Sequence, residues 1–347
     1  MKKKIFVIFT GGTIGSASAD GRVGLDGQSR KKLIEMYKAE RGDDVEFICS
    51  SPVNMLSENV GKEQLYAIHD AVRALDFSAA DGIIITHGTD SLCINAHYLA
   101  LTLCDIPLPV VLVSSLYPLD DKRQNGLINF CAAVDFIEKS GACGVFVSFA
   151  NCPARPTIHL AGRLTFCDQL TGFYHSAKDI PLAEICGGKV KFISSPLNPT
   201  RRELSAGGRE PAKREISDRV MLITARSLLN FSLYDFDRVR PEAVIIETYH
   251  SGTVCTEGDD LNFLKFAAYC RERGVAVILA PIDSGANVYA SMSNLPDNVI
   301  TATDECLESA IAKVMCALGA RLSPDAYFKK NIAFEKLNLQ SPEKGNL

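Results

Sequence analysis

No stretch of this sequence approaches the roughly 18 consecutive apolar residues of a membrane-spanning helix, so nothing in it reads as a membrane segment. Its 12 cysteines never fall at C-x-x-C spacing, which removes the usual signature of a zinc site, and no metal is expected. There is no G-x-G-x-x-G and no G-x-x-x-x-G-K-[ST], so the loops that cradle dinucleotides and nucleoside triphosphates are missing. A surplus of one charge is missing too: 37 basic residues face 41 acidic ones, a formal net charge of −4. Such a chain lacks the basic footprint that neutralises a phosphate backbone, and nucleic acid is not an expected partner. No low-complexity block or repeat of about 20 to 50 residues is visible, which argues against solenoids, fibres and disorder.

What remains is the composition of a globular protein. Of 347 residues, 47% are apolar and 22% charged, and at roughly 150 residues per domain the length suggests two domains. The opening MKKKIFVIFTGG imitates a secretory leader, but only Ile5 to Phe9 are continuously apolar, against the 7 to 15 or so residues of a leader core. That run reads instead as a first buried strand. Most cysteines sit inside apolar segments such as NFCAAVDF and AAYCRERG, where a reduced thiol serves as a small hydrophobe. A reducing, cytoplasmic setting is expected.

Short β-branched runs alternate with longer helical stretches: KKIFVIF, SRKKLIEMYKAE, VEFICS, GKEQLYAIHDAVRAL, DGIIITH, SLCINAHYLALTLC, PVVLVSS, NGLINFCAAVDFIEK and CGVFVSF. Strands apolar throughout must be covered on both faces, and intervening helices imply right-handed parallel crossovers. The expected architecture is α/β, a doubly wound, mainly parallel sheet with helices on both faces, spanning residues 1–193. Residues 194–219 are dense in Pro, Gly and charge without hydrophobic periodicity and read as a linker. The alternation then resumes with RVMLITA, EAVIIETY, DDLNFLKFAAYCRERG, VAVILAP and ECLESAIAKVMCALG, giving a second, smaller α/β domain over 220–347.

In open parallel sheets, ligands bind beyond the carboxyl ends of the strands, usually where the winding direction reverses. Two segments stand at such ends: Thr10-Gly11-Gly12-Thr13-Ile14-Gly15 after the first strand, and Thr86-His87-Gly88-Thr89-Asp90-Ser91 after DGIII. The glycines permit positive φ and turn amide N–H groups toward the crevice, beside the Thr13 hydroxyl. A tight βα turn without chemistry explains the first segment equally well, and Thr89 and Asp90 also suit a helix start as caps. The pairing carries more than either part, because two Gly-Thr turns put two hydroxyls and one carboxylate around a single crevice. That is material for acyl transfer by a threonine nucleophile.

With those residues in view, the sequence resembles the bacterial-type L-asparaginases, in particular their cytoplasmic branch. FTGGTIGS resembles that family's first signature and ITHGTDSL its second, 76 residues apart from Thr13 to Thr89. PVVLVSSLYP, NGLINFCAAV and EAVIIETYHSGT extend the likeness over most of the chain. The resemblance implies hydrolysis of the side-chain amide of asparagine to aspartate and ammonia, glutamine being a poorer substrate, with no cofactor and with a homodimeric or homotetrameric assembly. It implies that Thr13 is the nucleophile and Thr89 the second threonine. Amides near Thr89 and Gly12 would hold the oxyanion, Asp90 the substrate's α-ammonium and Ser57 its α-carboxylate, with Glu58 beside the amino group and Gly12 and Gly88 among the substrate-binding residues. Two other readings of the same crevice are a weakly catalytic amino-acid sensor and an ammonia-supplying amidotransferase component.

Three departures from the family's pattern stand out. The family's lysine after the second signature has no counterpart, since no lysine lies between Lys139 and Lys178. In HLAGRLTFCDQLTGF, Leu164 or Cys167 stands at its place, and Arg163 is the nearest cation. A guanidinium stays protonated and supplies charge without accepting a proton, and buried cysteine is more often inert than nucleophilic. The family's loop tyrosine is also missing from SASADGRVGLDG, where Arg22 or Val23 comes closest. Finally, YHSGT replaces a glycine-rich stretch ending in asparagine, so His250 or Thr253 would face the neighbouring subunit's site. His87, at the end of its strand, suits an orienting or packing role better than that of a general base.

Overall fold

The computed structural model describes residues 2–12, 14, 16–19, 22–25, 29–287 and 289–337. Thr13 lies outside them. Two compact units emerge. One runs from the amino end to Ala212 and includes Ile332–Glu335; the other comprises Lys213–Asn331.

In the first unit, the alternation read from the sequence becomes β1 (Lys3–Phe9), a hairpin of β2 (Ser16–Ala19) and β3 (Arg22–Leu25), α1 (Ser29–Arg41), β4 (Val45–Ser50), α2 (Lys62–Arg73), β5 (Gly82–Thr86), α3 (Thr89–Thr102), β6 (Pro109–Val113), α4 (Gly126–Ser140) and β7 (Gly144–Phe149). Arg22 and Val23 belong to β3. Beyond β7 come β8 (Thr157–Leu160), β9 (Ala183–Cys186), β10 (Lys189–Phe192) and the short α5 (Arg201–Ser205). The strands join in one sheet of order β10-β9-β8-β7-β6-β5-β1-β4. Pairing is parallel from β4 to β7 and antiparallel from β7 to β10.

Every residue of β5 and β6 is buried. Successive side chains point to opposite faces, so both faces are covered. On one, Ile5, Val7, Ile84, Val111 and Phe146 pack with Leu33 and Tyr37 of α1 and Phe130 and Phe136 of α4; the other carries α2 and α3, which pack together, α3 lying over β7. The chain steps from β1 to β4 on one side and then to β5 on the other, so the winding reverses at β1.

The stretch read as a linker is folded onto this unit as far as residue 212. Leu204 is buried and its carbonyl accepts the Cys143 N–H at 2.8 Å, while the Ala212 N–H donates to Leu101 at 2.8 Å. Two isolated apolar anchors create no period, which is why the sequence pattern missed them.

The second unit contains β11 (Val220–Thr224), β12 (Ala243–Glu247), α6 (Phe263–Glu272), β13 (Ala276–Ile282), β14 (Val299–Thr303), α7 (Leu307–Gly319) and α8 (Pro324–Phe328). Its sheet is parallel, in sequential order β11-β12-β13-β14. Val244, Ile246, Val277 and Leu279 pack with α6 on one face; Ile245, Ile278, Ala310 and Val314 pack on the other with α7 and Phe328 of α8. Among the described residues, no helix is long and apolar enough to cross a membrane.

Candidate active site

The two glycine turns meet at the reversal of winding. After β1, the Thr10 hydroxyl donates to the Thr86 carbonyl at the end of β5 at 2.7 Å. Gly11 and Gly12 then take positive φ values of 100° and 73°, a region that L side chains resist. A Cβ built on Gly12 would stand 2.3 Å from the Gly88 nitrogen. The loops therefore touch backbone to backbone, and only glycine permits it.

Gly88 starts α3 without a side-chain cap, and its own missing Cβ makes room for Ser57: a methyl there would meet the Ser57 Oγ at 2.4 Å. Ser57 is buried, in a one-turn helix over Ser57–Asn59. Its hydroxyl donates to the Asp90 carboxylate at 3.1 Å and accepts the Asp90 N–H at 3.3 Å, and the Ser91 hydroxyl donates to its carbonyl at 2.7 Å. Asp90 is exposed in the first turn of α3, Thr89 half-buried, and Glu58 exposed. Gly12, Gly88, Thr89, Asp90 and Ser57 are thus brought together, with Glu58 next to Ser57.

The Gly12 N–H donates to the Met55 carbonyl at 2.9 Å, which ties the loop to the segment before Ser57. One expectation is corrected. Arg163 is buried, and its Nε and Nη1 donate to the carbonyls of Phe334 and Leu197, each at 2.5 Å. A planar fork held by two backbone carbonyls serves the strap at 332–335, and the role of a cation beside Thr89 does not fit this arrangement. Leu164 is core: its carbonyl accepts from His97 Nε2 at 2.7 Å and from the Cys93 thiol at 3.3 Å.

What this segment presents to Thr89 is a residue that sequence reasoning missed. The fully buried Tyr174 donates its phenolic proton to the Thr89 carbonyl. Half-buried Cys167 lies within hydrogen-bonding reach of the same phenol; burial pushes the thiol up, the hydrogen bond with Tyr174 opposes it, and the charges of Asp168 and Asp90 add to the rise. Burial likewise pushes the Tyr174 phenol up, with Cys167 adding to the effect. Both groups are neutral near pH 7.

His87 is orienting. Its Nδ1 pairs with the Gly88 carbonyl at 2.8 Å and its Nε2 with Asn95 Nδ2 at 3.1 Å, while Asn95 also donates to the Ser91 hydroxyl at 3.1 Å. An amide N–H must donate, so Nε2 accepts and the proton sits on Nδ1. Complete burial lowers the His87 pKa, against the opposing pull of the Gly88 carbonyl.

His250 and Thr253 belong to the second unit. His250 is exposed in the turn after β12, and the Thr253 hydroxyl pairs with that of Ser251 at 2.9 Å. Among the described residues, no group of three or more His, Cys, Asp and Glu side chains is placed to hold a metal ion.

A family model described as Asparaginase, N-terminal, matches residues 4–198. The chain belongs to the asparaginase family. It is 26% identical to the L-asparaginase of Thermococcus kodakarensis over 323 residues, 91% of this chain and 93% of that one. The solved structure of that thermostable enzyme superposes with a TM-score of 0.79 at 24% identity, covering 96% of this chain and 99% of the other. L-asparaginase I of Vibrio cholerae gives a TM-score of 0.78 at 23% identity, covering 97% and 99%. At such identities the structural likeness speaks for the shared fold. One component of the glutamyl-tRNA(Gln) amidotransferase of Pyrococcus furiosus is 28% identical over 279 residues, 77% of this chain and 60% of that component.

Proposed function

We propose that this asparaginase-family chain hydrolyses the side-chain amide of L-asparagine to aspartate and ammonia, with L-glutamine as a poorer substrate. The observation that carries the reading is the backbone contact of Gly12 with Gly88, which joins the segment leading into Thr13 to the start of α3 where the winding reverses. Thr13 is the nucleophile. Its oxygen attacks the amide carbon, the carbon–nitrogen bond breaks, and ammonia leaves with the hydroxyl proton; water then cleaves the resulting ester.

Thr89 supplies the second hydroxyl. Its amide, at the first position of α3, is among the donors a helix leaves unpaired, and it suits a developing oxyanion. Asp90 binds the substrate's α-ammonium; the single proton of the Ser57 hydroxyl, given to Asp90 in the structure, turns to the α-carboxylate when substrate binds, and Glu58 borders the amino group. The assembly is a homodimer or homotetramer in which His250 and Thr253 face a neighbouring subunit's crevice, and the 12 reduced cysteines suit the cytoplasm.

The test is ammonia release from asparagine and glutamine by the purified protein and by Thr13→Ala. Loss of about 10³-fold or more is expected on removing a nucleophile; unchanged turnover by Thr13→Ala overturns the assignment. The neutral Cys167 and Tyr174 beside Thr89 favour one second reading, an amino-acid sensor with slow turnover. Calorimetry decides it: tight aspartate binding without ammonia release supports the sensor, and rapid release removes it.

A further inference from the structure

Helix α3 begins under an unusual constraint. Gly88 admits Gly12 on one side and Ser57 on the other, so no side chain at that position caps the helix. An uncapped first turn is the part of a helix that frays. Yet this turn carries Thr89 and Asp90, which need fixed positions if they are to bind and orient a small zwitterion. Ser57 secures the turn through the Asp90 N–H. A second anchor comes from far along the chain.

Tyr174 is fixed from behind. Its N–H donates to Asn151 Oδ1 at 3.0 Å, its carbonyl accepts from Asn151 Nδ2 at 2.6 Å, and its ring meets Phe149 edge-on with centroids 4.8 Å apart. Phe149 closes β7 and Asn151 follows it, so the tyrosine is mounted on the end of a central strand. Its hydroxyl has one proton, and that proton goes to the Thr89 carbonyl, which accepts only. The contact spans 85 residues of sequence and lies wholly within the first unit.

We propose that Tyr174 is a positioning residue of the hydrolytic site: its hydroxyl grips the Thr89 carbonyl, and so holds the Thr89 hydroxyl and the Asp90 carboxylate in register with the crevice. The proposal rests on the reading that Thr89 and Asp90 serve amide hydrolysis. Tyr174→Phe tests it, because the ring and its packing on Phe149 survive while the grip is lost.

Two readouts are needed, amide hydrogen exchange and steady-state kinetics. Exchange at residues 90–93 is expected to speed up about tenfold while the rest of the unit is unchanged, as befits one lost hydrogen bond. On asparagine, kcat is expected to fall about five- to tenfold with KM within twofold. Unchanged exchange at the start of α3 overturns the anchor; faster local exchange with unchanged kcat overturns its bearing on the reaction. Faster exchange throughout the unit with unchanged kcat marks Tyr174 as general packing and also overturns the proposal. If the wild-type protein releases no ammonia, the hydrolytic reading fails on its own, and local exchange alone judges whether Tyr174 grips the helix.

Discussion

The two units end their parallel sheets differently. In the eight-stranded sheet the order reverses at β1, so the loops after β1 and β5 leave the same edge side by side and meet through Gly12 and Gly88. In the four-stranded sheet the order is sequential; each crossover steps the same way, and no reversal opens a crevice. The turn after β12 bonds largely to itself: the Tyr249 N–H donates to the Thr253 carbonyl at 3.0 Å, and the Gly252 N–H to the Tyr249 carbonyl at 2.8 Å. After β13, Ser284 binds the Asp304 carboxylate through its N–H at 2.9 Å and its hydroxyl at 2.7 Å. Both edges carry glycine and hydroxyls. Topology, more than residue type, decides which edge gathers them around a ligand.

The sharpest way to break this contrast is a methyl group on one glycine from each edge. At Gly12 it collides with the Gly88 backbone at 2.3 Å and sits at φ 73°; neither loop can yield without moving the other. Gly12→Ala is expected to abolish ammonia release and to lower stability by about 2–4 kcal/mol. Gly252 has a similar φ of 71°, but its added carbon meets only the tip of Ile282 at 3.4 Å. Gly252→Ala should cost about 1 kcal/mol of backbone strain, with a smaller loss of turnover than Gly12→Ala. Denaturant midpoints and ammonia assays on the two variants check this. Equal effects would mean that close approach is no special property of the β1–β5 edge.

A second contrast is acid sensitivity. His87, His97 and His159 are fully buried in the first unit, and burial lowers all three, His97 to about 4 and His159 to about 3. Because these folded values lie below the unfolded value near 6.5, the unfolded chain takes up protons first as the pH drops. The stabilisation is complete above about pH 6.5 and is lost progressively toward the folded values. Well inside that window, His97 and His159 each contribute a loss of about 1.4 kcal/mol per pH unit. In the second unit the only histidine is His250, and it is exposed. Urea midpoints between pH 7 and 5, with hydrogen exchange to resolve the units, should show the first unit opening earlier on acidification. A second unit that opens first would contradict this.

Within the crevice, Asp90→Asn is expected to raise KM for asparagine about thirtyfold or more, since a charge partner for an ammonium is lost. Ser57→Ala should cost about fivefold, the worth of one hydrogen bond. Because their side chains bond at 3.1 Å, the double variant should fall short of the product of the two effects. Full multiplicativity would separate the two residues functionally.

How much of this was legible in sequence follows from how far each feature reaches. Strands such as GIIIT and PVVLV are buried at every residue, so their apolar runs announce both the strands and the two-sided covering. The Gly-Thr turns were legible because glycine marks positive φ and close approach within a few residues. By contrast, β9 and β10 are four residues each, with exposed positions in both, too short for an alternation to register. Tyr174 was invisible for another reason: a lone tyrosine 85 positions from its partner forms no spacing that a pattern can hold. The commitment of the Gly12 N–H to Met55 was hidden likewise, since the loop before Ser57 carries no signal that it folds back onto the first turn.

The smallest expected effect lies in the second unit's turn. His250 is exposed, and the Thr253 hydroxyl pairs with that of its near neighbour Ser251. His250→Ala and Thr253→Ala should each change stability by less than about 0.5 kcal/mol, as surface substitutions away from packed features do. Their effect on turnover then separates two cases that stability cannot. If both variants release ammonia at the wild-type rate, the sequential sheet contributes scaffold alone and the contrast between the edges holds in full. If kcat falls about tenfold while the fold is untouched, the turn belongs to a crevice after all. Mixing each variant with Thr13→Ala protein then locates that crevice: recovery of activity in mixed assemblies means that the turn serves a neighbouring copy, because one kind of protomer carries the nucleophile's defect and the other the turn's, and some shared sites escape both. Absence of recovery, with exchange of protomers verified, would return the turn to its own chain.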